Sequence, residues 1–266
     1  MKIPFTKAHG ARNDFLLSWY EQATVSDYAA AARAICDRHA GVGADGWLLV
    51  GQESALPWIR LLNSDGSEAE ISGNGTRCAA AFLIHAGVCG EELQIRTGAG
   101  VKSLRLLSRS GPRFEFEMDM GRPILQAEHL RYGLPVKQGV ADVTILDVGN
   151  PQCAVFVENF DFDWRALGAE IERHPLFPNR TNVSFVRVLD AHAIDVRFFE
   201  RGAGETMSSG TGSTGAMAAA VLRGLVKSPV TVETPAGPLR LRWDNGGIQL
   251  VGPAELIATG EFWYQE

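Results

Sequence analysis

The chain has 266 residues, of which 45% are hydrophobic and 21% charged, and these globular values exclude disordered, collagen-like and coiled-coil proteins. Its formal net charge of −6 opposes general binding to nucleic acid, because phosphate contacts need a basic surface. With roughly 150 residues as a usual domain length, the chain is long enough for two domains or one large domain.

Helices and strands are predicted in very different numbers along the chain. Helical periodicity and Ala-rich runs predict four helices, at residues 26–39, 75–87, 162–174 and 213–224. Segments rich in β-branched and aromatic residues predict strands at 47–51, 59–63, 93–97, 114–120, 144–149, 153–159, 182–188, 193–200, 230–234, 239–243 and 247–252. Four helices cannot supply a crossover between every pair of strands, so the pattern favours an α+β fold with largely antiparallel sheet.

The order of these elements repeats in the two halves of the chain. Each half has an amphipathic helix, strands, a Gly-rich turn and a helix of small residues that is apolar almost all round. Such a helix is typical of burial on every side. We therefore predict two similar domains, each with sheet wrapped round a central helix: residues 1–118, completed by a strand at 257–266, and residues 119–256.

A serine precedes Gly-Xaa-Gly at the start of each small-residue helix. Ser72 stands before Gly73-Asn74-Gly75, and Ser209 stands 137 positions later before Gly210-Thr211-Gly212. Serine is a preferred N-cap, and either junction alone would be only a cap. Two buried helix N-termini with free backbone N–H groups also form good anion sites, so the pair favours a ligand site.

Polar residues that a plain turn does not require surround both junctions. Amide and carboxylate oxygens suit an ammonium group, whereas helix N–H groups suit a carboxylate, so we predict a small zwitterionic amino acid as the ligand. The candidates are Asn13, Asn63, Asn74, Asn150, Asn182, Glu200 and Arg201.

Sites for other cofactors and partners are not indicated. Four cysteines without a CxxC pair and six dispersed histidines predict reduced thiols and no metal site. GNG and GTG are too short for a dinucleotide motif and no phosphate loop is present, so we predict that no cofactor is needed. The N-terminus lacks a signal peptide's apolar segment and no apolar run reaches about 20 residues, which predicts a cytoplasmic protein without a membrane partner.

These motifs, taken together, resemble the diaminopimelate epimerase family of cofactor-independent amino-acid racemases. The stretches "FTKAHGARNDF", "CDRHAGVGADG", "GNPQCAVFV", "FPNRTNVSFV" and the two serine junctions follow the family's order nearly end to end. The resemblance implies two pseudosymmetric domains and interconversion of LL- and meso-diaminopimelate by α-proton transfer in lysine and peptidoglycan precursor synthesis. It also implies substrate contacts from Asn13, Asn63, Gly73, Asn74, Asn150, Asn182, Glu200, Arg201, Gly210 and Thr211.

The resemblance breaks at the reactive centre. The family has cysteines where this chain has Ser72 and Ser209, one removing the α-proton while the other returns it from the opposite face. It usually has histidine at the position of Gln152, which with Glu200 is expected to modulate the pKa of the catalytic groups. The resemblance thus makes the two serines the catalytic candidates and predicts that they face one another across a cleft.

The change from thiol to alcohol is chemically large. A thiol has a pKa of about 8.5 and an alcohol is close to water at about 15.7, so forming the anion costs roughly 10 kcal/mol more. Three functions stay open: an impaired or altered epimerase, a one-base isomerase or dehydratase acting on another amino acid, and a non-catalytic amino-acid binder. The sequence also leaves the oligomeric state open, a homodimer being one option.

Overall fold

The computed structural model describes residues 1–244 and 246–265, so Glu266, the last residue of the predicted closing strand, lies outside the described residues. The chain divides into two compact units. The first comprises Met1–Asp119 and Val251–Glu266, and the second comprises Met120–Leu250.

Helices form where the sequence predicts them. The α-helices of the described residues are α1 Tyr28–Cys36, α2 Gly73–His85, α3 Trp164–Glu172 and α4 Gly210–Leu222, with short 3-10 helices at Tyr20–Gln22 and Ala127–His129. All four predicted helices are confirmed, but α2 and α4 begin two and three residues earlier than predicted. Their first turns are glycine-rich, which lowers helix propensity and hides the start in the sequence. None of the described helices is long and apolar enough to span a membrane.

Strands contain far more residues than helices, in agreement with the α+β prediction. They are β1 Lys2–Gly10, β2 Asn13–Trp19, β3 Gly46–Glu53, β4 Leu56–Asn63, β5 Glu68–Ala69, β6 Glu92–Thr97, β7 Gly100–Ser110, β8 Arg113–Gly121, β9 Tyr132–Val136, β10 Gly139–Asp147, β11 Pro151–Phe156, β12 Asn182–Asp190, β13 Ala193–Glu200, β14 Gly204–Thr206, β15 Val230–Glu233, β16 Leu239–Asp244 and β17 Gly247–Trp263. Every predicted strand coincides with one of these. The predictions missed β1, β2, β5, β7, β9 and β14.

Eight strands of the first unit close into a barrel. Successive pairings run β1–β2, β2–β3, β3–β4, β4–β6, β6–β7, β7–β8 and β8–β17, and β17 returns to β1. The pairings β2–β3 and β4–β6 are parallel, whereas β1–β2, β3–β4, β6–β7, β7–β8 and β17–β1 are antiparallel. Closure leaves this sheet without an unpaired edge.

Helix α2 is buried along most of its length and contacts five strands of this barrel. Eleven of its thirteen residues, Gly73 through Leu83, are buried, and the helix contacts β1, β2, β3, β4 and β6. A Cβ placed on Gly10 of β1 would lie 3.1 Å from the Cα of Asn74. Because glycine has no Cβ, β1 can approach the first turn of α2 this closely.

A two-residue turn joins β1 to β2 immediately before Asn13. Gly10 pairs with Asn13, and the residues between them, Ala11 and Arg12, both have positive φ values of 51° and 62°. Positive φ at both central positions is the geometry of a type I′ hairpin turn, which usually carries Asn or Gly. The turn sets the start of β2 and thereby fixes the position of the Asn13 backbone.

The second unit has its own sheet and its own buried helix. Strands β9, β10 and β11 are antiparallel neighbours, β11 pairs in parallel with β12, and β13 lies between β12 and β15. Helix α4 is buried from Gly210 through Ala220 and contacts β10, β11, β12, β13, β15 and β16. It has the same length as α2 and begins 137 positions later.

The amphipathic helices α1 and α3 each complete a hydrophobic core. In the first unit, Ala31, Ile35 and Cys36 of α1 pack with Trp47 of β3. In the second unit, Trp164 and Ile171 of α3 belong to one cluster with buried residues of β10, β11 and β12. Burial of each fully enclosed Leu, Ile or Phe side chain contributes about 1.5–3 kcal/mol of hydrophobic stabilisation.

The four cysteines are free thiols, as predicted, and differ in burial. Burial raises the pKa of Cys36 to about 12 and that of Cys78 to about 12, and it also raises the pKa of the buried Cys153. Cys89 is only partly buried, although burial raises its pKa as well. The thiolate is the reactive form, so buried thiols with raised pKa values are unreactive.

We expect a thiol reagent at pH 8 to label native protein at Cys89 alone. Unfolding in denaturant should release all four thiols, because the three buried ones are protected by the fold and not by oxidation. Mass spectrometry of the labelled protein measures both stoichiometries, and Cys89→Ser is the matched control that should show no native labelling. Rapid native labelling of Cys78 or Cys153 would contradict the buried packing of α2 and β11.

Candidate functional site

Ser72 is the N-cap of α2. Its backbone is extended, and its Oγ accepts a hydrogen bond from the N–H of Gly75 at 3.0 Å. Its carbonyl accepts from the backbone N–H and the hydroxyl of Thr76, at 2.8 and 2.7 Å. The serine therefore satisfies one of the four N–H groups that a helix start leaves without an internal partner.

Ser209 occupies the same place on α4. Its Oγ accepts from the N–H of Gly212 at 3.0 Å, its carbonyl accepts from the N–H of Ser213 at 2.9 Å, and the residue is buried. Both serines thus act as caps, which was the simpler alternative for each. A ligand role is compatible with this, because each hydroxyl keeps its own proton and the positive end of the helix dipole favours an anion at the first turn.

Two candidate asparagines of the first unit are directly hydrogen-bonded to each other. The Nδ2 of Asn74, the second residue of α2, donates to the Oδ1 of Asn13 at 3.2 Å, and both residues are buried. Asn13 in turn donates from its Nδ2 to the Oδ2 of Asp45 at 2.7 Å. At the other end, Arg77 donates to the Oδ1 of Asn74 at 2.5 Å. The result is a directed chain from a guanidinium through two amides to a carboxylate.

The charged ends of this chain fix the orientation of both amides. Arg77 is completely buried, and burial lowers its pKa to about 10; its other N–H groups donate to the carbonyls of Gly73 and Pro253. Arg77 has only N–H donors, so Asn74 must present its oxygen to it. An ionised carboxylate at Asp45 accepts only, so Asn13 must present its nitrogen. Charge-assisted bonds of this kind are stronger than neutral ones.

Asp45 is itself held by a cation. The Nη2 of Arg38 lies 2.7 Å from its Oδ1 and 2.8 Å from the Oδ1 of Asp14. Burial is the largest influence on Asp45 and, with the nearby charge of Asp14, raises its pKa above the ordinary value, against the opposing effect of Arg38 and Asn13. Asp45 therefore gains its proton at a higher pH than an ordinary aspartate.

Asn63 lies close to this chain without joining it. It ends β4 opposite Gly46, the residue after Asp45. Its Nδ2 donates to the hydroxyl of Ser67 at 3.0 Å, which closes the turn after the strand. Within the described residues, the structure therefore brings Asn13, Asn74 and Ser72 together at the start of α2 and gives Asn63 a turn-forming role.

A second chain of amides leads to α4. Gln152 donates from its Nε2 to the Oδ1 of Asn150 at 2.7 Å, and Asn150 donates from its Nδ2 to the hydroxyl of Thr211 at 3.4 Å. All three side chains are buried. Both chains connect an asparagine to the second residue of the buried helix 61 positions later.

The remaining candidates of the second unit lie at the ends of neighbouring strands. Asn182 begins β12 opposite Gln152; its Nδ2 donates to the carbonyl of Pro151 at 3.0 Å and its Oδ1 accepts from the N–H of Arg201 at 3.0 Å. Arg201 also donates to the carbonyl of Asn179 at 3.1 Å. Glu200 ends β13 and pairs with Gly204 across a tight turn.

The candidate residues of the two units are related by one constant offset in sequence. Adding 137 to each position of the first unit gives a candidate of the second, in the pairs Asn13 with Asn150, Asn63 with Glu200, Ser72 with Ser209, Gly73 with Gly210, and Asn74 with Thr211. Both units therefore place polar groups around one capped helix start. Helix N–H groups can receive carboxylate oxygens there, and amide oxygens can receive an ammonium group.

Asp45 and Arg77, which orient the asparagines, were not predicted as site residues from the sequence. Arg77 carried a usable signal, since a charged residue inside an otherwise small and apolar buried helix needs a specific partner. No local sequence pattern identifies Asp45, because its partner Asn13 lies 32 positions away in the chain. Within residues 1–244 and 246–265 there is no group of three or more His, Cys, Asp or Glu side chains that could hold a metal ion.

Replacing Ser72 by alanine should lower the free energy of unfolding by about 1 kcal/mol, the usual cost of a lost N-cap. The matched control is Asp27→Ala, because Asp27 caps α1 with the same geometry, its Oδ1 accepting from Ala30 at 3.0 Å. We expect denaturant titration to give similar losses for both, whereas calorimetry should show weakened amino-acid binding only for Ser72→Ala. Equal ligand binding in both variants would show that Ser72 caps the helix and does not bind the ligand.

Asp45→Asn should weaken amino-acid binding by a factor on the order of ten, because Asn13 loses the carboxylate that fixes its amide. The wild-type affinity should also fall on acidification at a pH above the ordinary Asp value, since the Asp45 pKa is raised, and the substitution should flatten that decline. Calorimetry from pH 4 to 8 measures both. Glu68→Gln, which removes an exposed ion pair with Arg60 in the same unit, is the control. Unchanged affinity in Asp45→Asn would show that Asn13 is not oriented by this carboxylate.

The sequence is similar to known proteins over nearly its whole length. The family model described as diaminopimelate epimerase matches residues 5–125 and 144–257. The diaminopimelate epimerase of Pelotomaculum thermopropionicum is 41% identical over 277 aligned positions, covering 98% of this chain and 99% of its own. That of Moorella thermoacetica is 39% identical, covering 97% and 98%.

Solved structures share the fold at much lower identity. A hydroxyproline epimerase from Agrobacterium vitis superposes with a TM-score of 0.75 at 14% identity, covering 98% of this chain and 90% of its own. A phenazine biosynthesis protein of the PhzF family from Bacillus anthracis gives 0.68 at 16% identity, covering 98% and 99%. Identity this low shows only that the fold is shared. The family is shown by the sequence relatives that align over nearly the full length: this chain belongs to the diaminopimelate epimerase family.

Proposed function

We propose that this protein is a cofactor-independent amino-acid isomerase that interconverts LL- and meso-diaminopimelate by α-proton transfer, in lysine and peptidoglycan precursor synthesis. The support is its membership of the family, with relatives of that name aligned over almost the whole chain. The single structural observation that carries the proposal is the duplicated site, in which a capped and buried helix start faces oriented amides in each unit.

The proposed architecture is a pair of pseudosymmetric domains, each with sheet around a central helix. The constant offset of 137 between α2 and α4 and between the candidate residues supports it. The proposed domains are residues 1–118 with 257–266, and residues 119–256. The compact units of the structure have boundaries close to these.

The two kinds of polar group would bind different parts of the substrate. The N–H groups at the starts of α2 and α4 would take the carboxylates, because the helix dipole adds a partial positive charge there. The oriented amides of Asn13, Asn74 and Asn150 would take the remaining polar groups of the substrate. Such fixed donors and acceptors discriminate well, because a ligand that lacks a matching group leaves them unpaired.

The proposed chemistry moves one proton. Once one serine has lost its hydroxyl proton, its alkoxide Oγ would accept the α-proton while the electron pair of the C–H bond passes to the carbon and its carboxylate. A proton would then be returned to the opposite face by the second group, which inverts the centre. For a two-base cycle, both Ser72 and Ser209 must reach one α-carbon, and this stays a prediction.

The alcohol groups make this cycle slow. Each Ser Oγ accepts a backbone N–H, which stabilises an anion, but the deficit relative to a thiol is roughly 7 pKa units. Serine bases elsewhere depend on a histidine or similar partner to take the proton. Within the described residues, neither hydroxyl hydrogen-bonds to a histidine or a carboxylate.

This lack of a partner supports a second candidate function, that of an amino-acid binder which retains the pocket without racemisation. Incubation with diaminopimelate in D₂O separates the candidates. Deuterium at the α-carbon with inversion supports the epimerase. Exchange without inversion indicates a one-base isomerase, and a product that has lost one water indicates a dehydratase. Saturable binding without exchange supports the binder and overturns the epimerase.

Restoring cysteine at Ser72 and Ser209 together should raise α-deuterium exchange with inversion by far more than either single change. A two-base inversion needs one group to accept and another to donate, so a single thiol still relies on an alcohol, and groups that act as a unit are non-additive. The helix starts should also lower the pKa of the new thiols. Rates of exchange in D₂O, followed by NMR, measure the effect.

The matched control introduces the thiols without changing the site, for example Ser26→Cys with Ser110→Cys on the first unit. This double variant should exchange no faster than the wild type. If the restored protein binds diaminopimelate but shows no exchange, even with Gln152→His added, the pocket is not that of an epimerase.

A further inference from the structure

Gln152 has a buried oxygen without a hydrogen-bond partner. The residue is 1% exposed, and within the described residues its Oε1 has no protein donor. A buried acceptor left unsatisfied is costly in a folded protein, so it calls for a physical explanation. A ligand that supplies the missing donor would provide one.

The orientation of this amide follows from its neighbours. Asn150 donates from its Nδ2 to the hydroxyl of Thr211, so its Oδ1 is the atom turned towards Gln152. Gln152 must meet that oxygen with its Nε2, because two acceptors cannot pair. The Oε1 of Gln152 is thereby turned away from Asn150 and stays available.

The oxygens of the neighbouring amides already accept hydrogen bonds. Asn182, which lies opposite Gln152 on β12, already uses its Oδ1 for the N–H of Arg201 and its Nδ2 for the carbonyl of Pro151. Asn150 uses its Oδ1 for Gln152. Of these three clustered amides in the second unit, Gln152 alone has an oxygen with no partner.

Helix α4 leaves room for this side chain. A Cβ on Gly215 would lie 3.0 Å from both the Cβ and the Cγ of Gln152. That distance is tighter than ordinary van der Waals contact, so any larger residue at Gly215 would displace the glutamine. The glutamine is thus packed against the same helix whose N-terminus carries Ser209.

We propose that the Oε1 of Gln152 accepts a hydrogen bond from the ammonium group of the bound amino acid and so selects amine-bearing ligands over acids without the amine. This inference rests on the amino-acid ligand of the proposed function. A primary carboxamide does not titrate near neutral pH, so Gln152 offers the ligand a neutral acceptor over the whole physiological pH range. The N–H groups at the start of α4 complement it, since they suit the carboxylate of the same zwitterion.

Two substitutions separate the oxygen of Gln152 from its nitrogen. Gln152→Met removes both polar atoms at nearly constant length, whereas Gln152→Glu keeps an acceptor and loses the donor to Asn150. We expect calorimetry with meso-diaminopimelate to show binding weakened by a factor on the order of ten or more for Met, with Glu binding at least as tightly as the wild type. Pimelate, which lacks both amines, should bind the wild type and Gln152→Met equally when titrated by NMR to millimolar concentrations.

Ser213→Ala is the matched control, because it removes another buried hydroxyl without a partner from α4 in the described structure and should leave both affinities unchanged. Thermal melts verify folding, and Gln152→Leu replaces the Met variant if that protein misfolds. Equal losses for Met and Glu would assign the effect to the bond with Asn150 and overturn the proposal. Undiminished binding by Met, or an equal loss for pimelate, would overturn it too.

The outcome for the wild type separates this inference from the proposed function. Wild-type protein that binds diaminopimelate without α-proton exchange refutes the epimerase and leaves the Gln152 comparison fully measurable. Wild-type protein that binds no amino acid overturns both.

Discussion

The first turns of α2 and α4 impose the constraint on which the candidate site depends. A helix begins with four N–H groups that have no partner inside the helix, and burial denies them water. Ser72 and Ser209 each satisfy one of these groups. The positive end of the dipole lies at the same place, so an anion bound at either buried start would be stabilised there. Selection for a ligand and selection for a capped helix therefore act on the same residue.

Buried polar chains give the two units different electrostatic character despite their common plan. In the first, Arg77 and Asp45 end the chain with full charges, so Asn74 and Asn13 are held by strong bonds. In the second, the equivalent chain is neutral and ends at Gln152. Low local dielectric strengthens every satisfied bond and penalises every missing one. The first unit is thus organised before a ligand arrives, whereas the second has an acceptor still to be filled.

The sequence was sufficient for the helices and for most strands, because Ala-rich runs and β-branched alternation are local signals. It was insufficient for β1 and β7. β1 has Pro4 and two lysines, and β7 is mostly polar on an exposed face, so neither shows clear hydrophobic alternation. The candidate site was likewise predicted only in part. Small polar residues in turns identified the asparagines, but the direction of their hydrogen bonds depends on partners such as Asp45 that only the fold brings near.

The closure of the barrel joins the two ends of the chain. β1 pairs with β17 along Lys2 to His9, and Met1 and Tyr264 exchange backbone hydrogen bonds in both directions. A ribosome releases β1 long before β17, so the first unit cannot complete its barrel until β17 has emerged. The second unit, formed by Met120–Leu250, is continuous in sequence and has no such requirement. During translation the second unit can therefore fold before the first unit is complete. Until β17 pairs with it, β1 has an unpaired edge with which other chains could pair.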